Sequence, residues 1–204
     1  MNIQLYLLRH GESELKGRFC GSTDCALTRV GHDQARARAE QLKHEHIELL
    51  FSSPLRRAME TANYASQECQ LPIEPLDDLR EIDFGQWEGL LWQEVVARDA
   101  SYSQQWLDRY PDLCAPEGES FADFRRRVLR GLGAVLRTGE VRCAHRICVV
   151  AHAGWIRAAL SVAFDQTVAK VAPPPYGSVQ RCTITDLVRM KLQALLDAEI
   201  PGLA

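Results

Sequence analysis

The 204-residue sequence holds no apolar stretch near the roughly 20 residues that cross a bilayer. It has no basic surplus. Its 24 Lys and Arg face 27 Asp and Glu, a net charge of −3, so nothing is left over to neutralise a nucleic-acid backbone. It has no C-x-x-C. The seven cysteines (Cys20, Cys25, Cys69, Cys114, Cys143, Cys148 and Cys182) are odd in number and scattered. That excludes a disulfide framework or zinc knuckle and leaves reduced thiols serving as small core residues. No carboxylate cluster has metal-ligand spacing, so neither metal nor cofactor is expected. No repeat, low-complexity tract or Ser/Gly linker divides the chain, and its length suits one domain over residues 1–204. The opening MNIQLYLLRHGE meets Arg9 and His10 too soon for a signal peptide, so the protein is expected in the cytoplasm.

What is present is a soluble composition, 46% hydrophobic and 25% charged, with short apolar runs between helical segments. Ile3–Leu8, Ile47–Phe51 and Ile147–Ala151 are nearly unbroken, as expected of strands buried on both faces. Leu27–Lys43 reads as a helix capped by Thr28. Ser53-Pro54 reads as the start of another helix, running to about Glu68, and a third is expected from about Gly154 to Phe164. Thr183–Val188 and Lys191–Leu196 are open, the second between strand and helix. The middle, about 86–136, carries no strand. Ser120 and Asp123 there have capping-box-like spacing. Alternating strands and helices predict an α/β fold: a doubly wound, mostly parallel sheet flanked by helices, with a helical insertion over its carboxyl edge.

Chemistry collects at the ends of the apolar runs. One ends in Arg9-His10-Gly11-Glu12, the next in Ser52-Ser53-Pro54-Leu55-Arg56-Arg57, the third in His152-Ala153-Gly154. Ligands of open α/β sheets bind beyond the carboxyl ends of the strands. The sequence therefore sends two histidines and at least two arginines to one edge. Arg57 falls in the first turn of its helix, where a cation opposes the macrodipole by about 0.3–1 kcal/mol. An anion bound there would reverse that sign. Arg56 reads as a solvated neighbour. His44 and His46 read as a solvated helix end, His32 and His145 lack convergent partners, and the tryptophans read as packing, with Trp87 also close to Glu81.

The run Leu8-Arg9-His10-Gly11-Glu12 resembles the signature of the histidine phosphatase, or phosphoglycerate-mutase-like, superfamily. Further blocks resemble it in order: Gly21-x-x-Asp24-x-x-Leu27-Thr28-x-x-Gly31, Ser53–Ala62, Leu79–Gly89 and Val149–Gly154. Within the family the layout is most similar to the α-ribazole-phosphate phosphatases of cobalamin synthesis. A broad-specificity phosphatase, a mutase and a non-catalytic phosphate-ester binder on the same fold stay open.

The resemblance implies a phosphomonoester hydrolase. His10 would be the nucleophile, Arg9, Arg57 and His152 would hold the phosphoryl group, and Glu81 would be the acid and base. These residue types suit the reaction. A neutral imidazole is not repelled by a phosphate dianion, guanidinium groups stabilise its oxygens, and an alkoxide leaving group needs a proton. Asp77, Asp78, Asp83 and Glu88 lie close to Glu81, and only the family pattern selects among them. The loop Glu14-Leu15-Lys16-Gly17 departs from the pattern, being shorter and lacking an asparagine. Lys16 and Arg18 are the candidates to replace that contact. The expected partner is a small-molecule phosphate monoester, with no nucleic acid and no membrane. The oligomeric state stays open.

Overall fold

The computed structural model describes residues 2–200, which form five strands and seven α-helices. Strands β1 (Ile3–Arg9), β2 (Leu49–Ser52), β3 (Ile73–Pro75), β4 (Arg146–Ala151) and β5 (Val179–Ile184) form one sheet in the order β3-β2-β4-β1-β5. β5 alone runs antiparallel, against β1. Helices α1 (Arg29–Leu42) and α2 (Arg56–Cys69) cover one face. Helices α5 (Phe121–Val141), α6 (Ala153–Phe164) and α7 (Asp186–Glu199) cover the other. The sheet is therefore mixed but mostly parallel, with helices on both sides, as expected.

The unbroken apolar runs serve two cores at once, because successive side chains of a strand point to opposite faces. Leu5, Leu7, Phe51, Ile147 and Val149 pack toward α5 and α6. Tyr6, Leu8, Leu50, Cys148 and Val150 pack toward α2, against Ala58, Ala62 and Ala65. Truncating one of these buried leucines to alanine should cost about 2–5 kcal/mol.

Caps fix several boundaries. Thr28 caps α1 by accepting from the Gly31 amide, and Ser120 caps α5 by accepting from the Asp123 amide. The helix expected to open at Ser53-Pro54 instead begins at Arg56, with Leu55 as its uncapped boundary residue. The Ser53 hydroxyl is engaged elsewhere. Thr183–Val188 straddles two elements: β5 ends at Ile184, and Thr185 caps α7. Lys191–Leu196 is helical. β3 had no counterpart among the sequence expectations.

Between β3 and β4 there is no strand. Helices α3 (Trp92–Arg98) and α4 (Ala100–Arg109) build a small core of their own around Trp87, Val95 and Ala115. α5 buries Phe124, Val128, Leu132 and Val135 along one stripe and so flanks the sheet. No helix among the described residues is long and apolar enough to cross a membrane.

Candidate active site

β2, β4 and β1 are adjacent and parallel, so their carboxyl ends emerge side by side. Arg9 pairs in register with Ala151, and Ser52 with Val150. The next residue of each strand therefore lands on the same edge. His10 follows β1, His152 follows β4 and Ser53 follows β2. The His10 and His152 rings meet edge-on with centroids 5.0 Å apart. The turn after His10 needs glycine: a Cβ on Gly11 would lie 2.3 Å from the Gly31 carbonyl oxygen.

Each imidazole is held through one nitrogen. His10 Nδ1 lies 2.7 Å from the Gly11 carbonyl oxygen. A carbonyl only accepts, so Nδ1 carries the proton and Nε2 keeps its lone pair. Burial foremost, then the charge of Arg57, holds the His10 imidazole well below its ordinary 6.5, and Arg9 adds to this. It is neutral at pH 7. His152 Nε2 lies 2.8 Å from Ser53 Oγ. Burial and Arg57 likewise keep His152 well below 6.5.

Arg57 is fully buried. Its Nη1 donates to the Thr23 carbonyl at 2.7 Å, and its Nη2 to the Gly21 carbonyl at 2.7 Å and the Cys20 carbonyl at 3.3 Å. The loop offering those carbonyls is tied down in turn by Glu88. That carboxylate accepts from the amides of Gly21, Ser22, Thr23 and Phe84 and from the Thr23 hydroxyl. Arg9 stacks on the Tyr176 ring, 3.7 Å from its centroid, and donates from Nη1 to the Pro174 carbonyl. The buried side-chain N and O atoms that lack a hydrogen-bond partner among the described residues are Arg9 Nε, Ser13 Oγ, Arg57 Nε and His152 Nδ1.

Glu81 reaches the same place from the segment after β3. α5 fixes that segment, since Arg127 donates to the carbonyls of Arg80 and Glu81 while pairing with Glu119. The Glu81 carboxyl sits on the N-terminus of α6. It accepts from the Gly154 amide at 2.8 Å and the Trp155 amide at 3.0 Å. Burial raises its pKa above the ordinary 4.5, against the opposing pull of the Gly154 and Ile82 amides and of Arg57 and Arg9. The neighbouring carboxylates are committed elsewhere. Glu88 holds the 21–23 loop, Asp83 binds the Ser22 hydroxyl and the Gly85 amide, and Asp78 pairs with Arg130.

Arg9, His10, Ser13, Arg18, Glu81 and Tyr176 line a cavity of about 160 Å³. A larger, mostly apolar cavity of about 470 Å³ adjoins it. The two share Phe19, Glu81, Phe84 and Ala153. Trp106, Leu107 and Tyr110, from α4 and just beyond it, line the larger one.

The structure thus brings together Arg9, His10, Arg57, Glu81 and His152. Of the loop candidates, Arg18 lines the small cavity while donating to the Gly89 carbonyl and Glu94. Lys16 does not reach it: its exposed ammonium pairs with Glu12. Arg56 is exposed and pairs with Glu60. His44, His46 and His145 lie at the opposite, amino edge of the sheet, near the starts of β2 and β4. Trp87 is buried in the small core of the α3–α4 region, and Trp106 is the tryptophan that lines the cavity. Sequence reasoning missed Tyr176, which arrives from a loop before β5, and the link from Ser53 to His152. No group of three or more His, Cys, Asp or Glu among the described residues could hold a metal ion.

Comparison with known proteins gives this arrangement its context. The chain is 38% identical over 165 residues to a bifunctional protein of Mycobacterium tuberculosis, an alignment covering 79% of this chain but only 44% of that protein. It is 34% identical to phosphoserine phosphatase 1 of Hydrogenobacter thermophilus, covering 76% and 74%. The crystal structure of the α-ribazole phosphatase from Shigella flexneri superposes with a TM-score of 0.81 at 26% identity, covering 90% and 92%. Residues 5–193 match the sequence model of the histidine phosphatase superfamily, branch 1, and the chain belongs to that family.

Proposed function

We propose that the protein is a phosphomonoesterase that works through a phosphohistidine. One observation carries this reading. The Nε–H groups of Arg9 and Arg57 are buried without partners around an imidazole whose Nε2 is unprotonated, and so is Nδ1 of His152, a donor in the tautomer whose Nε2 accepts from the Ser53 hydroxyl. Leaving a buried donor unmade costs about 1–3 kcal/mol, and a phosphoryl group offers the oxygens that would satisfy all three. His10 Nε2 attacks phosphorus while Arg9, Arg57 and His152 hold the oxygens. Stabilisation of that charge by fixed donors is the main catalytic term in phosphoryl transfer. Glu81, whose carboxyl burial biases toward the protonated form, gives its proton to the leaving oxygen. As a carboxylate it then takes one from the water that attacks the phosphohistidine.

The apolar cavity beside Glu81 favours a leaving group with an aromatic body. α-Ribazole 5′-phosphate, a benzimidazole riboside, fits that description. Phosphoserine would leave the cavity unfilled. We therefore favour the α-ribazole reading over a serine, broad-specificity or mutase one. Trapping tests the mechanism: wild type should yield an acid-labile phosphoenzyme and His10→Ala should yield none. Near-normal turnover by folded His10→Ala would sink it. Rates on α-ribazole 5′-phosphate, phosphoserine and 3-phosphoglycerate, measured in EDTA, test the substrate and the independence from metal.

A further inference from the structure

We infer that Cys20 and Cys25 are an intramolecular disulfide-forming site, closed by a hydroperoxide, that unseats Arg57 from the phosphate pocket. Sequence alone grouped these cysteines with five scattered core thiols. The fold places their Sγ atoms 3.5 Å apart within a single loop. Cys20 lines the small cavity, and Cys25 is buried directly behind it, so a small oxidant that enters the pocket comes up against Cys20 and must pass it to reach Cys25. Cys25 Sγ lies 4.0 Å from Arg57 Nη1. Cys25 is lowered to about 6, first by the hydrogen bond from Cys20 and also by the charge of Arg57, while Cys20 is pushed up. The Arg57 guanidinium beside Cys25 Sγ favours the thiolate on Cys25, facing Cys20. A thiolate with a resolving thiol in contact is the arrangement that oxidises.

The chemistry balances with the hydroperoxide as two-electron oxidant. The Cys25 thiolate attacks one peroxide oxygen and the O–O bond breaks. The alkoxide or hydroxide released takes a proton from water, leaving a sulfenic acid on Cys25. Cys20 sulfur then attacks Cys25 sulfur and the S–O bond breaks. The departing hydroxide leaves as water with the proton of Cys20. Two thiols and one hydroperoxide give one disulfide, one alcohol or water, and one further water.

The consequence falls on Arg57. A disulfide bond is about 2.05 Å long, so the sulfurs must close by about 1.5 Å. Three carbonyls of the segment they bracket, those of Cys20, Gly21 and Thr23, hold the guanidinium at 2.7–3.3 Å. Loss of the thiolate by itself would favour an anion at Arg57. That sulfur sits at the outer limit of contact, however, and the carbonyls set where the guanidinium lies. Displacement therefore decides the sign, and anion affinity falls.

Trypsin tests this directly, because cleavage after Arg18 and Arg29 isolates residues 19–29 with both cysteines and no other. Reduced full-length protein is treated with hydrogen peroxide, alkylated and digested. The peptide should resist alkylation and be two hydrogens lighter than the reduced one. Affinity for inorganic phosphate should drop about tenfold or more, as expected for loss of one charge-assisted bond. Dithiothreitol should restore both. Cys20→Ser and Cys25→Ser, each compared with its own untreated form, should show neither response. Two alkylated cysteines in that peptide after Cys143, the exposed thiol, has been oxidised would overturn the inference. So would a closed disulfide with phosphate affinity unchanged. The affinity arm rests on the phosphate reading of the pocket. A reduced protein that binds no phosphate would count against that reading, while the peptide mass judges the disulfide independently.

Discussion

Gly154→Ala perturbs the proposed acid without altering its chemistry. A Cβ at that position would lie 2.5 Å from Glu81 Oε1, 3.0 Å from its Cδ and 3.1 Å from Oε2. Normal carbon–oxygen contact requires the carboxyl to retreat by about 1 Å, the scale of misplacement that costs about 10²-fold in rate. Retreat also breaks the bonds from the Gly154 and Trp155 amides, at about 1.5–3 kcal/mol for a charged acceptor. Alanine in the first turn of α6 returns up to about 1 kcal/mol in helix propensity. Stability should therefore fall by about 0.5–2 kcal/mol, while the site changes a great deal.

The assay is single-turnover phosphoryl transfer with two substrates. An alkyl phosphate leaves as a strongly basic alkoxide and should slow by about 10²-fold. p-Nitrophenyl phosphate leaves as a stabilised phenolate and should slow only a few-fold. Glu81→Gln should show the same contrast, about 10²–10⁴-fold on the alkyl ester. The double variant should be no worse than Glu81→Gln, since both changes act on one group. Losing the Gly154 amide, which favours the ionised carboxyl, should also push the Glu81 pKa further up. Equal losses on both substrates, or a folded Gly154→Ala at the wild-type alkyl rate, would refute the role of Glu81 as the acid.

Arg57→Ala should lower kcat/KM far more than Arg56→Ala, because only Arg57 is buried at the pocket while Arg56 is exposed; comparable losses would show the wrong arginine was chosen. Leu107→Asp puts a charge in the wall of the apolar cavity at a half-exposed position. It should raise KM for α-ribazole 5′-phosphate about tenfold and spare phosphoserine; equal effects would remove the cavity from substrate choice. Stability should be full above about pH 6.5 and fall below it. His10 and His152 lie well below 6.5 in the fold, so the unfolded chain takes up protons first as pH drops. Urea midpoints from pH 7.5 to 5.5 should show this slope and His10→Asn/His152→Asn should flatten it; an unchanged slope in the variant would assign it to other groups.

What the sequence disclosed depended on burial. β1, β2 and β4 were legible because both of their faces are covered, which demands apolar residues at nearly every interior position. β3 has only three residues, none fully buried, and leaves no pattern to read. β5 is the antiparallel edge, and its half-exposed Val179-Gln180-Arg181-Cys182 offers no apolar run. Ser53-Pro54 misled for a different reason. Serine before proline is a helix-start signal, but here the Ser53 hydroxyl contacts His152 Nε2 and the helix starts three residues later. A side chain engaged by a distant residue broke the local rule, since a tertiary contact can override propensity.

The site divides along the same physical line. His10 and His152 were legible because each directly follows a buried strand, and neighbouring parallel strands deliver their next residues to one edge. Glu81 follows no long strand, and Asp77, Asp78, Asp83 and Glu88 are equal candidates in composition. Only three-dimensional bookkeeping separates them: Glu88 is saturated by loop amides, Asp83 by Ser22 and Gly85, Asp78 by Arg130, and exposed Asp77 pairs with Arg80. Glu81 alone of these lines the small cavity. Arg57 shows the same limit from the other side. Its place in the first turn suggested an anion, yet its aim is set by carbonyls more than thirty residues away, held in turn by Glu88. Residues that act from strand ends can be read from local pattern, whereas those that orient them are joined only by hydrogen bonds between distant segments. Glu88→Gln therefore separates the two kinds of role. It keeps the side chain's size but replaces one accepting oxygen with a donor facing backbone amides. Phosphate affinity should fall through the displaced Arg57, while the contrast between alkyl and p-nitrophenyl substrates stays at its wild-type value. A change in that contrast would mean that Glu88, rather than Glu81, takes part in leaving-group protonation.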